Sequence, residues 1–446
     1  MLDYLNIKDF KSIKQIELGF SRVNIFIGGN GSGKSNLLEA MAIYGAVEDN
    51  KCDNVSLNAR GVRTTDLSFF LSKFSNQYGP ERSSIGVHYD QRNAQYLVFL
   101  DGVDPKNGRI KYDLRAAYIH KASEAFSFQA LQDNSAGIVR VENLYDEDSD
   151  GEVMTLAEVA SKVSQIGDAL KEALEMKKEK KDSNIFENDF SDSISRLDAL
   201  VYAAGHALSC SGGDAFKTSE RNELKDFIIF SPENSSLRVF DVEGKTLPLG
   251  HKGEGLYRHL KYIQEKYPES FDDILETVSM LNWIQIDDEG LGCIRIDGAE
   301  QKLMISDRFI MEELDYRCAN EGFLFILFYA TLFSSPDTPK IFAVDNIDIA
   351  LNPKMCVVLI ERLVFLAKKY NKQVFLTTHN PSILDGIDIN DGDQALFVVK
   401  RNDDGCTVVD RVTKDSFPDD LLENSDINRL SEAFIRGYIS DALQDF

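Results

Sequence analysis

The sequence lacks a surplus of positive charge, a paired-cysteine framework and any apolar run long enough to span a bilayer. Lys and Arg number 49 against 73 Asp and Glu, a formal charge of −24. A field of that sign repels polyanions, so direct grip on nucleic acid or an anionic membrane requires a local patch or a partner. The six cysteines, Cys52, Cys210, Cys293, Cys318, Cys356 and Cys406, are scattered without a C-x-x-C pair. That spacing excludes both a disulfide scaffold and a zinc ribbon. The most apolar stretch, residues 323–333, is well short of the ~18 to 20 residues that cross a membrane. Met1-Leu2-Asp3-Tyr4 does not read as a signal peptide, so a cytoplasmic location and no membrane partner are expected. No internal repeat is present.

What is present is a soluble, globular composition: 446 residues, 43% hydrophobic and 27% charged. At roughly 100 to 200 residues per domain this length allows two or three domains. Near the start, the β-branched run Val23-Asn24-Ile25-Phe26-Ile27 precedes Gly28-Gly29-Asn30-Gly31-Ser32-Gly33-Lys34-Ser35, and Asn36-Leu37-Leu38-Glu39 follows. This is strand, G-x-x-x-x-G-K-S, helix. The glycines let successive backbone N–H groups curl into an anion nest, and the helix adds its positive end. Asn30, Gly31, Ser32, Gly33, Lys34, Ser35 and Asn36 are therefore the expected contacts of ATP, with Lys34 on the β- and γ-phosphates and Ser35 on Mg²⁺.

A triphosphatase also needs an acid for the metal at the end of a buried strand. Lys340-Ile341-Phe342-Ala343-Val344-Asp345 fits, with Asp345 at the edge where open α/β sheets place ligands. The next residue is Asn346, at the position where hydrolysing relatives of this architecture carry a glutamate base. An amide orients a water without taking its proton, so hydrolysis is expected to be slow; Asp348 stands nearby as a substitute acid. Gln373-Val374-Phe375-Leu376-Thr377-Thr378 reads as another buried strand, delivering His379 to the same edge, facing the γ-phosphate. Asn320 is a good N-cap for an apolar helix over 323–333, and the N–H groups after Gly322 make a second anion site.

Taken in order, these motifs resemble an ATP-binding-cassette head. The opening Leu5-Asn6-Ile7-Lys8-Asp9-Phe10-Lys11-Ser12-Ile13 is similar to the first strand of the SMC/RecF-like and OLD-like ATPases, a resemblance that places Lys11 and Ser12 beside the nucleotide. Asn320-Glu321-Gly322-Phe323-Leu324-Phe325, Asp345-Asn346-Ile347-Asp348, Leu351-Asn352-Pro353 and Thr377-Thr378-His379-Asn380-Pro381 resemble most closely the ATPase subunit, PtuA, of Septu-type antiphage systems. The resemblance implies a homo-oligomer formed through the heads, with Asn320 and Gly322 reaching a neighbour's γ-phosphate. It also implies a separate HNH nuclease, a PtuB-like partner, and nucleic acid engaged through that complex. The signature serine is replaced by Asn320 and the base by Asn346, which favours binding over turnover.

The expected fold is thus an α/β P-loop head with two lobes, residues 1–150 and 226–446, split by a helical insertion over 151–225. Within the insertion, Thr155-Leu156-Ala157-Glu158 forms a capping box. Leu156, Val159, Val163, Ile166, Leu170 and Ala173 mark one coiled-coil seam, and Ile194, Leu197, Val201, Ala204 and Leu208 a second. Two readings of this hairpin stand, packing on its own head or protruding toward a partner. The stretch after His379 is too short for the nuclease domain that OLD-type relatives append, and no H-N-H signature is present, so any cutting falls to another chain. The competing reading is an active RecF-like repair ATPase that clamps duplex DNA. A third is a scaffold with a vestigial site.

Overall fold

The computed structural model describes residues 1–49, 51–63, 70–72, 83–89, 94–103, 110–120, 124–130, 138–143, 152–155, 223–239, 248–284, 294–297, 302–413, 416, 429–437 and 439. The chain opens with β1 (Leu2–Phe10) and β2 (Ile13–Gly19), then β3 (Val23–Ile27), α1 (Lys34–Glu48) and α2 (Asn54–Ala59). A run of strands follows: β4 (Ser83–Tyr89), β5 (Ala94–Val103), β6 (Ile110–His120), β7 (Glu124–Ala130), β8 (Ile138–Asn143) and β9 (Glu152–Thr155). Next come β10 (Ile229–Phe230), α3 (Leu256–Lys266), α4 (Pro268–Val278), and the small antiparallel set β11 (Ile294–Asp297), β12 (Lys302–Ile305) and β13 (Leu314–Asp315). The final third supplies α5 (Glu321–Ser334), β14 (Ile341–Val344), α6 (Pro353–Lys369), β15 (Gln373–Thr378), β16 (Gln394–Arg401), β17 (Thr407–Val412) and α7 (Leu430–Ile435).

Two large sheets organise these elements. One is antiparallel, in the order β2-β1-β4-β5-β6-β7-β8-β9. The other runs β10-β14-β15-β3-β16-β17, parallel except for the β16–β17 pair. Its inner strands are apolar on both faces, as a sheet covered on both sides requires. In β3, Val23, Ile25 and Ile27 join the core with α3 to α6, while Phe26 joins the core with α1 and the antiparallel sheet. That split follows from alternate side chains pointing to opposite faces. Helix α5 is apolar all round and buried from Phe323 to Ser334, which is why its sequence reads as a continuous run rather than a stripe.

The order of strands decides the site. Strand β15 lies between β3 and β14, so the carboxyl ends of three distant segments meet on one edge. The short strand β10, Ile229–Phe230, forms one edge of this sheet, paired parallel with β14.

The antiparallel sheet continues past position 150: strand β9 pairs with β8 from Glu152 and Val141 through Thr155 and Ile138. The rest of the capping box that begins at Thr155 lies outside the described residues. The two coiled-coil seams at 156–173 and 194–208 lie outside the described residues. Among the described residues, Cys318, Cys356 and Cys406 are free thiols, and no helix is long and apolar enough to cross a membrane.

Candidate functional site

The loop after β3 is built for close backbone approach. Gly31 and Gly33 take φ of 77° and 112°, a region that favours glycine. A Cβ on Gly28 would stand 2.0 Å from the Val399 carbonyl oxygen, and one on Gly33 2.1 Å from Thr407 Oγ1. Helix α1 begins at Lys34 with Gly33 as its cap, no side chain bonded to its first amides and no acid in its first turn. Its positive end is therefore available to an anion. Ser32 Oγ is buried and has no hydrogen-bond partner among the described residues. An orphaned hydroxyl inside a cradle of amides is what a phosphate oxygen would satisfy. The chain fits the polyphosphate that its sequence implies.

Lys34 is 5% exposed and donates from Nζ to the carbonyls of Gly28 (2.8 Å) and Gly29 (2.9 Å). Burial pushes its ammonium down to about 8, against the opposing pull of Asp345 and Asp348. His379 Nδ1 lies 3.0 Å from the Gly28 carbonyl and 3.3 Å from Lys34 Nζ. A carbonyl only accepts, so Nδ1 is assigned as the protonated nitrogen and Nε2 as the acceptor. Burial, then the Lys34 charge, lowers the His379 pKa, which keeps the ring neutral at physiological pH.

The metal ligands expected from sequence come together. Ser35 Oγ donates to Asp345 Oδ2 at 3.1 Å, across 310 positions of sequence. Thr377 Oγ1 donates to the other oxygen, Oδ1, and accepts from the Asn346 amide at 2.8 Å. A Mg²⁺ here would neutralise the β- and γ-phosphates, and hydroxyl plus carboxylate is a hard oxygen set of the kind it takes. Asn346 sits at φ 57°, left-handed backbone that asparagine tolerates better than most residues. Asp348 is turned to β15, accepting from Thr378 Oγ1 at 2.7 Å, so it ties the turn to the strand beside it.

Lys11 and Ser12 lie against the start of α1. Ser12 Oγ accepts from Asn36 Nδ2 at 2.7 Å and pairs with Thr407 Oγ1 at 2.6 Å. Lys11, at φ 50°, forms an ion pair with Glu39, which is 1% exposed. Arg63 Nε also binds Glu39 (2.7 Å), and its Nη2 reaches Asn36 Oδ1 (3.3 Å). Sequence reasoning missed Glu39, Arg63 and Thr407. A buried acid one turn into an apolar helix was a readable signal for Glu39. Thr407, which also donates to the Ser32 carbonyl at 2.9 Å, carried none, because only the β16–β17 pairing brings it to the loop.

The second predicted anion site is assembled separately. Asn320 caps α5 by accepting from the Phe323 amide at 2.8 Å. A Cβ on Gly322 would stand 3.3 Å from the Ala350 carbonyl oxygen, so the helix start packs against the turn that follows Asp345-Asn346. Arg238 holds the approach, donating to the carbonyls of Arg317 and Ala319.

Comparisons with known proteins fall on these segments. Residues 1–74 match the family model described as "AAA ATPase domain", and residues 319–385 match that described as "AAA domain, putative AbiEii toxin, Type IV TA system". A curated relative, the DNA replication and repair protein RecF of Oenococcus oeni, is 34% identical over 86 residues. That match spans 19% of this chain and 21% of the relative. Solved Smc head domains are also similar. One, from Pyrococcus furiosus with an extended coiled coil and bound to the C-terminal domain of ScpA, is 13% identical at a TM-score of 0.41, over 93% of this chain and 96% of that one. Another, from Thermotoga maritima, is 14% identical at 0.38, over 92% and 98%. The loop, the parallel sheet and the two family matches, which together cover less than half of the chain, make this a P-loop ATPase-type fold, with the candidate site at the ends of β3, β14 and β15.

Proposed function

We propose that this chain is an ATP- and Mg²⁺-binding regulatory subunit that hydrolyses ATP slowly, if it does so at all, and assembles head to head on nucleotide. The observation that carries this reading is the pairing of an intact phosphate cradle with an amide next to the metal acid. Ser35 and Asp345 are in contact, whereas the adjoining residue, Asn346, has no carboxylate to receive a proton. What the chain's own residues supply is binding and orientation. The Gly28–Ser35 amides hold phosphate, Lys34 adds charge, and neutral His379 presents Nε2 to accept a hydrogen bond.

The resemblance to Septu ATPase subunits extends the proposal: the chain would carry a separate HNH-type nuclease in antiphage defence, with ATP occupancy governing assembly or cleavage. The charge of −24 supports a division of labour in which a basic, cutting partner touches DNA. The test is turnover of the purified chain together with its mass with and without ATP. Slow turnover and an ATP-dependent increase in mass are expected; turnover of tens per second refutes the regulatory reading. Co-purification from native cells, followed by mass measurement, identifies or excludes the nuclease.

The 86-residue match to RecF motivates a second reading, a repair ATPase that closes on duplex DNA. It predicts ATP-dependent binding of a DNA duplex by the chain alone, falling steeply with salt.

A further inference from the structure

The turn from β12 into β13 carries Arg308-Phe309-Ile310-Met311-Glu312, five consecutive exposed residues. Phe309 is 74% exposed, Ile310 47% and Met311 fully. Single apolar side chains on a surface are ordinary, whereas contiguous ones mark contacts. At roughly 200 Å² for a large side chain, these three expose on the order of 400 Å², the size of the largest apolar patch on a typical monomer.

The turn is tied down at its base. Asp307 bridges to Ile284, its Oδ1 accepts from the Phe309 amide at 2.8 Å, and its carbonyl accepts from the Ile310 amide at 3.2 Å. The Arg308 amide donates to the Trp283 carbonyl at 3.0 Å, and Trp283 packs on the core with its ring 5.7 Å from that of Phe323. A preformed turn presents its side chains at little further ordering cost. The Arg308 guanidinium lies over the Phe309 ring, 4.6 Å from its centre, so the cation stands at one end of the apolar three and Glu312 follows at the other. Among the described residues neither Arg308 nor Glu312 forms an ion pair.

The order cation, three apolar residues, anion is its own complement. Turned about a twofold axis at Ile310, one copy sets Arg308 against Glu312 of the other and Phe309 against Met311, and each contact occurs twice. A methionine sulfur beside an aromatic ring is favourable, and a matched Arg–Glu pair fixes the register. Repulsion between two chains of −24 is screened beyond about 8 Å at physiological salt, whereas the matched charges meet in contact. A membrane or nucleic acid offers the same repulsion without the match.

We propose that this turn is a self-association site, on which a second copy of the chain docks across a twofold axis without nucleotide. It is a contact separate from the ATP-dependent pairing of heads and does not rest on that reading. Two copies cover on the order of 800 Å² of apolar surface here, below the roughly 1,200 Å² of a stable interface, so the dimer is weak and depends on concentration.

The test is sedimentation equilibrium of the full chain without nucleotide over a series of concentrations. A monomer–dimer equilibrium is expected, weakened about tenfold or more in Met311→Asp. Arg308→Glu and Glu312→Arg, each of which sets like charges against one another, should associate less than the unaltered chain. An equimolar mixture of those two variants should associate more than either alone, because every pair across the axis is then matched. All three positions are exposed, and circular dichroism checks that the variants fold. A chain that stays monomeric leaves the turn to a different protein and overturns the proposal. A dimer unchanged in Met311→Asp, or a mixture no stronger than its components, overturns it equally.

Discussion

Replacing Asn346 by glutamate asks directly whether the site is a sound hydrolase missing one group. The backbone there is pinned, because the residue 346 amide donates to Thr377 Oγ1 at 2.8 Å and the Thr377 hydroxyl is held by Asp345. A new side chain is thus projected from an unchanged position. A well-placed carboxylate base contributes about 10²- to 10⁴-fold to such a step. The left-handed φ of 57° sets an opposing cost, since glutamate lacks the local hydrogen bonding that lets asparagine rest there. That cost is about 1 kcal/mol of folding stability. The expected result is single-turnover phosphate release accelerated by at least about 10²-fold, with a small loss of stability in denaturant and nucleotide affinity retained. Asn346→Asp, which tolerates this backbone better but reaches less far, should fall between. Unchanged turnover in a variant that still binds ATP and Mg²⁺ would refute the reasoning, because the missing base would then not be what limits the chemistry.

Lys34→Ala is expected to abolish ATP binding by calorimetry, whereas Gly322→Glu should leave binding intact and block the ATP-dependent increase in mass; equal loss of binding in both would contradict the role given to the start of α5. Gly28→Ala should unfold the loop or lose nucleotide outright, because the Val399 carbonyl 2.0 Å from the new Cβ is main chain and cannot turn aside. Nucleotide affinity should fall as pH rises through about 8, where Lys34 gives up its charge, with bound phosphate moving that midpoint upward. The same group adds a pH dependence to folding. Between about 8 and the ordinary lysine value near 10.4 the unfolded chain binds more protons, so the Lys34 contribution to stability rises with pH in that window and is lost on descending through about 8. Thr407→Val should weaken ATP binding without removing it, since the hydroxyl supports Ser32 and Ser12 rather than making up the nest itself.

The glycine loop before Lys34, the strands that deliver Asp345 and His379 to its edge, and the Asn320 cap of α5 were all legible in the linear sequence. Each is a local pattern whose chemistry depends on a few adjacent residues: glycines before Lys34, an apolar strand before Asp345, a cap before Phe323. Buried parallel strands also announce themselves, as β14 and β15 did, because both faces must be apolar. Strand pairing, by contrast, is not written in neighbouring residues: β9 joins β8 past position 150, where the sequence pattern placed the start of the insertion. The same holds for Thr407, brought to the loop by the turn of β16 into β17, and for Asn346, whose left-handed backbone gives asparagine a conformational reason to be there besides the lost base. By itself the sequence determined which chemical groups the protein owns. The placement of β15 between β3 and β14 decided which of them meet, because contact between Ser35 and Asp345 depends on strand order and not on distance along the chain.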